Sequence, residues 1–167
     1  MKVLSIDPGY DRLGIAVLTN EGGREELVYS TCLETERTTP LPDRLYHVGT
    51  AIRSLLSEHR PDTVAIETLF FNKNVKTAIG VAQARGIILY LAKEAGCTVY
   101  EFGPQEIKVA ITGHGGSDKT AVLAMLHRLL PGVPKAAHDD EYDAIAVGIT
   151  CLAHYGHRQY NRHELPE

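Results

Sequence analysis

Met1-Lys2-Val3-Leu4-Ser5-Ile6-Asp7-Pro8-Gly9 opens the chain, and its pattern decides the fold. Lys2–Asp7 is a short apolar strand that ends in a carboxylate, and Pro8-Gly9 breaks it. It lacks the basic start, apolar stretch and small-residue cleavage site of a signal peptide. Thr63–Glu67 has the same form, an apolar run closed by a carboxylate. Between the two, residues 13–18 and 26–33 read as strands with 20–23 as their turn, so the first three strands form an antiparallel meander. Leu41, Leu45, Val48, Ile52 and Leu55 recur at helical spacing, which makes Leu41–His59 an amphipathic helix ended by Pro61-Asp62. Residues 73–94 read as a long helix closed by Gly96, and 97–102 as a fifth strand. Residues 105–111 and 119–130 are helices on either side of a glycine-rich loop, and 140–155 is the last strong helix. Residues 1–155 are then one domain, and 156–167 a polar tail expected to fray.

Three strands, a helix, a strand, a helix and a strand imply an α/β fold: a five-stranded mixed sheet flanked by helices on both faces. The helical crossover returns the chain beside the first strand, in parallel. Asp7 and Glu67 then lie together at the carboxyl ends of two central strands, the edge where open α/β sheets place their sites.

The last helix opens His138-Asp139-Asp140-Glu141-Tyr142-Asp143. Acidic residues in a first helical turn complement the helix dipole, which is explanation enough for such a run taken alone. The rest of the face argues otherwise. Asp140 and Asp143 stand above Ala144, Val147 and Cys151, and a second apolar stripe runs through Ile145, Ile149 and Leu152. A helix buried on two sides with an acidic top needs partners for those carboxylates, and a divalent cation is a suitable one. Asp7, Glu67, Asp140 and Asp143 offer hard oxygen ligands for Mg2+, with Mn2+ as a substitute. Two such ions roughly 3.5–4 Å apart would activate water and stabilise the leaving oxygen in phosphodiester hydrolysis.

The 167 residues are 44% apolar and 23% charged, as in an ordinary globular protein with one sizeable core. No apolar run suffices to span a bilayer, so no membrane partner is expected. Cys32, Cys97 and Cys151 are odd in number and far apart, and read as reduced thiols of a cytoplasmic protein. The net charge of −4 opposes a simple nucleic-acid-binding role. Two bound dications would offset it, and contact with a polyanion would still need a local basic patch.

Several blocks resemble the RuvC family of Holliday-junction resolvases. They are Ile6-Asp7-Pro8-Gly9 with Gly14, Ala65-Ile66-Glu67-Thr68-Leu69-Phe70-Phe71, Gln83-Ala84-Arg85-Gly86, Thr112-Gly113-His114-Gly115 with Lys119, and Asp140-x-x-Asp143-Ala144-Ile145-Ala146-Val147. The blocks keep the family's order and span nearly the whole chain. The resemblance implies a ribonuclease H-like fold and a homodimer that binds four-way DNA junctions by shape and nicks two opposing strands symmetrically. It implies Asp7, Glu67, Asp140 and Asp143 as catalytic metal ligands. The third position is histidine in some members, and His138 and Asp139 stand close by, but the spacing to Asp143 favours Asp140. It also implies a branch-migration helicase complex as a partner.

Phe70 matches a wedge that stacks on a base at the opened junction. Ordinary core is the alternative, although Asn72, Lys73, Asn74 and Lys76 follow in a polar, basic stretch that suits phosphate. Lys108 and Lys119 match basic positions that contact DNA, against the alternative of solvated lysines. The loop 113–118 would expose N–H groups to phosphate before a helix start, but Asp118 stands where a P-loop needs glycine. Arg85 could touch DNA or pair within the dimer. Ala78, Ala82 and Gly86 would permit close helix packing, at a dimer contact or against the chain's own sheet. His154-x-x-His157 reads as a solvated tail. The rival functions are an RNA-processing nuclease of the same fold, an actin-like ATPase suggested by Asp7-x-Gly9 but lacking the length and the second glycine-rich motif, and a binding protein without chemistry.

Overall fold

β1 (Lys2–Asp7), β2 (Arg12–Glu21) and β3 (Arg24–Glu34) form the antiparallel meander, and α1 (Leu41–His59) carries the chain to β4 (Thr63–Glu67). There follow α2 (Val75–Glu94), β5 (Thr98–Phe102), α3 (Pro104–Thr112), α4 (Lys119–Leu129) and α5 (Asp139–Tyr155). The computed structural model describes residues 1–68 and 75–156, and for 75–77 the backbone alone. The sheet order is β3-β2-β1-β4-β5, with β4 parallel to both β1 and β5. This is the expected mixed sheet.

Alternation along the strands sorts the core into two layers. Leu4 and Ile6 of β1, Leu13, Ile15 and Val17 of β2, and Val64 and Ile66 of β4 pack with Val48, Ile52 and Leu56 of α1 and Ile88 and Leu91 of α2. Val3, Ala16, Leu18, Ala65 and Phe102 face the other way, onto α5, with Ile107 and Ile111 of α3 and Leu126 of α4 around it. Asp7 and Glu67 share the parity of Val3 and Ala65, so both carboxylates belong to the α5 face.

α5 is buried from Ala144 to Leu152 without a break. Such a helix must lie close on the sheet. Gly148 allows this: a Cβ there would stand 2.3 Å from Leu18 Cδ1 and 2.7 Å from Ser5 Oγ.

Two boundaries differ from the sequence reading for a physical reason. The polar residues Asn20, Glu21 and Arg24 belong to strands, because Gly22 and Gly23, with φ of 63° and 84°, make a two-residue hairpin turn. Cys97 closes α2 rather than opening β5, since its N–H donates to the Ala92 carbonyl at 2.9 Å. The long helix is described from Val75, and residues 73–74 lie outside the described residues, as does the tail from 157 onward. No helix among the described residues is long and apolar enough to cross a membrane.

Gly148→Ala tests the close approach of α5. It should lower unfolding stability by about 1–3 kcal/mol in a denaturant titration, despite the better helix propensity of alanine, because the neighbours are packed side chains.

Candidate active site

Asp7 ends β1 and Glu67 ends β4. In register, Ser5 pairs with Ala65 and Ile6 with Ile66, so the two carboxylate residues follow as the next pair along. Across the other edge of β1, Asp7 pairs with Gly14 of β2. Gly14 carries the first turn of α5: a Cβ there would stand 1.8 Å from the Asp140 carbonyl oxygen and 3.3 Å from Ala144 Cβ. The missing side chain lets α5 begin directly over the end of β1, which brings Asp140 and Asp143 to the same corner. All four carboxylates proposed from the sequence therefore converge, from two strand ends and one helix start.

The electrostatics record this crowding. Asp7 is pushed up to about 8, first by burial and then by the charges of Glu67, Asp143 and Asp140. Glu67 rises to about 7 through burial and Asp143. Asp143 is also raised, burial outweighing the help of Lys119. Two cations answer them. Arg12 Nε lies 3.2 Å from Asp140 Oδ2, and Lys119 Nζ sits 3.3 Å from Asp139 Oδ2 and 3.4 Å from Asp143 Oδ2. Asp140 Oδ2 is nevertheless buried with no hydrogen bond, so the guanidinium supplies charge there without filling the lone pair. Among the described residues, no three His, Cys, Asp or Glu groups already enclose a metal position. The donor set still fits a hard dication: carboxylate oxygens, an orphaned oxygen, and pKa values raised by burial and by neighbouring carboxylates.

Beside Glu67 and Asp143 opens a cavity of about 430 Å³, walled by Pro104, Ile107 and Lys108 of α3, Lys119 and Leu123 of α4, and Asp139 and Tyr142 of α5. The structure thus brings Lys108 and Lys119 to the site. Phe70 and Lys73, and the side chain of Lys76, lie outside the described residues.

The other first-turn acids of α5 serve structure. Glu141 is buried and accepts from Ser30 Oγ of β3 at 2.6 Å, while His138 Nε2 lies 3.4 Å from Glu34. At the loop 113–118, two N–H groups that the sequence reading leaves open to phosphate have partners within the chain. The Asp118 carboxylate accepts the Ala121 N–H at 2.8 Å and so caps α4 itself, and Gly116 N–H donates to His114 Nδ1 at 3.1 Å. Arg85 pairs with Glu101 of β5. His154 is part of the last turn of α5 rather than a solvated tail, its Nδ1 2.8 Å from the Thr150 carbonyl, and His157 lies outside the described residues.

Sequence reasoning missed Arg12 and Arg44. Arg12 shares strand parity with Gly14 and Ala16, so alternation could have placed it on the α5 face. Arg44 gave no such signal. It is a buried arginine of α1 that pairs with Asp11, donates to Thr35 Oγ1 at 2.8 Å and to the Tyr10 carbonyl at 3.1 Å, and lies over the Tyr10 ring. It fixes the turn that follows Asp7.

The raised carboxyls have a consequence for stability. Their folded pKa values lie above the ordinary values of 3.8 and 4.5, so folding disfavours their ionisation. In EDTA the protein should lose stability as pH rises from about 4 toward about 8, the loss being complete above the folded values. Asp7→Asn, which cannot ionise, should flatten that part of a melting-temperature profile.

A model of the family "Crossover junction endodeoxyribonuclease RuvC" matches residues 3–151. The protein of that name from Brevibacillus brevis is 43% identical over 152 residues, 90% of either chain. The structure of Thermus thermophilus RuvC superposes with a TM-score of 0.83 at 32% identity, covering 95% of this chain and 97% of that one. The T. thermophilus protein in complex with a Holliday junction substrate gives 0.87 at 31% identity, over 95% and 96%. By sequence and by fold, the chain belongs to the RuvC family of crossover junction endodeoxyribonucleases.

Proposed function

We propose that this protein is a structure-selective endodeoxyribonuclease that resolves four-way DNA junctions by paired symmetric nicks, in recombination and repair in the cytoplasm. The observation that carries this reading is the convergence of Asp7, Glu67, Asp140 and Asp143 in one half-buried corner beside Lys108 and Lys119. Membership of the family implies a divalent-metal requirement. We assign the four carboxylates as ligands of two Mg2+ ions, replaceable by Mn2+. When bound, the ions supply activation of the attacking water and stabilisation of the leaving oxygen. Asp7 and Glu67 hold their oxygens rigid at strand ends, while Asp140 and Asp143 complete the set from a helix that cannot shift on the sheet. Lys108 and Lys119 line the adjoining cavity and hold phosphate. Phe70, Lys73 and Lys76 follow Glu67 closely in sequence, and we assign them to the junction strands, with Phe70 stacking on an unpaired base.

A junction cut at two symmetric positions calls for two sites related by a dyad. The face between α1 and α2 suits a second copy of the chain. It holds an apolar groove of about 850 Å³ lined by Leu45, Tyr46, Gly49, Ile87 and Tyr90. Tyr46 is 77% exposed, Tyr90 64% and Ile79 60%, which is unusual for large apolar groups and marks the face as unpartnered in the single chain. Ala82 and Gly86 lie exposed on the same helix, so the small residues point into open space rather than at the sheet. A branch-migration helicase complex would share the junction with this dimer.

An end-labelled four-way junction and a matched linear duplex, incubated with Mg2+, Mn2+ or EDTA, test the reading. Paired nicks on the junction alone, lost in EDTA, are expected. Cleavage of structured RNA in place of the junction would overturn the assignment. Asp7→Asn should lose more than the roughly 10–100-fold that disturbing an outer-shell partner costs, with junction binding largely kept.

Gly86→Glu introduces a charge where a Cβ meets nothing within 4 Å. The variant should fold, yet sediment as a monomer under conditions where the parent is a dimer.

A further inference from the structure

Arg12 differs from the other cation at the site in a way that bears on its role. Lys119 is shared between Asp143 and the exposed Asp139, so it keeps a partner if Asp143 turns away. Arg12 has Asp140 as its only ion-pair partner among the described residues, since Glu34, opposite it in the β2–β3 register, meets His138. Its side chain is 53% exposed and that of Asp140 21%. One end of the contact is therefore fixed in the protein and the other stands at the water boundary. The contact is electrostatic rather than directed: Nε is 3.2 Å from Asp140 Oδ2, and that oxygen still lacks a hydrogen bond. A guanidinium placed to satisfy a carboxylate permanently would use its fork of donors on both oxygens. This one neutralises a ligand oxygen and leaves its lone pair open.

We propose that Arg12 is a placeholder cation. It holds the charge of Asp140 in the metal-free protein, leaves when a divalent cation binds there, and then takes a phosphate of the DNA strand. The inference rests on Asp140 being a metal ligand. A guanidinium and a dication on one carboxylate repel each other, and the half-exposed side chain has solvent to move into. The phosphate backbone is the anion that would next approach this rim. In a chain of net charge −4, a cation released only on metal binding couples DNA affinity to a loaded site.

The test measures Mn2+ binding to the intact protein without DNA, by titration calorimetry or the loss of the free-ion paramagnetic resonance signal, for the parent, Arg12→Gln, Arg12→Lys and Asp140→Asn. It also measures junction affinity against salt in Ca2+ and in EDTA. Arg12→Gln should bind Mn2+ about two- to fivefold tighter, the range for losing an exposed competing ion pair. In Ca2+ its salt slope for junction binding should fall by about 1, the loss of one phosphate contact, with no change in EDTA. Arg12→Lys should follow the parent in both. Unchanged or weaker Mn2+ binding by Arg12→Gln would make Arg12 an anchor of the ligand set and overturn the proposal. An unchanged salt slope in Ca2+ would overturn it too. Failure of the metal-site reading looks different: the parent would bind no Mn2+, or Asp140→Asn would bind it as well as the parent, and the placeholder role would fall with it.

Discussion

Like charges held together in a partly desolvated corner are the constraint from which the rest of this structure follows. Burial and mutual repulsion drive Asp7 to about 8 and Glu67 to about 7, and a corner of that kind is stable only if the surrounding fold fixes it. The protein meets the charge halfway. Lys119 and Arg12 reach in from the rim, each more than half exposed, and neither closes over the cluster. Full neutralisation by fixed side chains would occupy the oxygens proposed as metal ligands. Partial neutralisation keeps the fold intact and those oxygens available.

Rigidity comes from the sheet and from two close approaches. Strand alternation points Asp7 and Glu67 at α5, and the register sets them side by side. Gly14, opposite Asp7, admits the start of α5, and Gly148 lets the middle of the same helix lie against Leu18 and Ser5. The turn after Asp7 is held from the opposite face of the sheet. Arg44 of α1 grips Tyr10 and Asp11, and a Cβ on Gly80 of α2 would fall 2.6 Å from the Tyr10 ring. The helices that present the apolar groove are thus the ones that brace the strand ending in Asp7, so a partner docked on α1 and α2 would stiffen the site without touching it.

Much of this was legible in the sequence because it follows from periodicity. Apolar runs ending in Asp7 and Glu67 gave the strands and the edge, and the helical spacing of Asp140 and Asp143 above small apolar residues gave the third component. What periodicity cannot give is reach. Arg12 and Lys119 extend across several ångströms to carboxylates far away in sequence, and only the packing decides which ones. The loop 113–118 shows the opposite case. Its glycines read as free donors, yet Asp118 and His114 take N–H groups of the loop and the following helix turn. Composition alone also missed Arg44, since a buried arginine looks like a surface one until its acceptors are placed.

The acidic net charge, which argues against DNA binding on its face, fits once charge is localised. A surface basic everywhere would bind duplex DNA of any shape through counterion release. Among the described residues, the cations beside the carboxylates are Arg12, on Asp140, and Lys108 and Lys119, which line a cavity of about 430 Å³, and carboxylates without a dication repel phosphate. On the proposed reading, non-specific affinity is small in the metal-free state. In the proposed dimer, discrimination is left to contacts that depend on the geometry of the DNA: two sites set apart by an α1–α2 interface, each demanding a strand that can enter its cleft. A four-way junction meets that demand by opening at its centre, and a linear duplex does not.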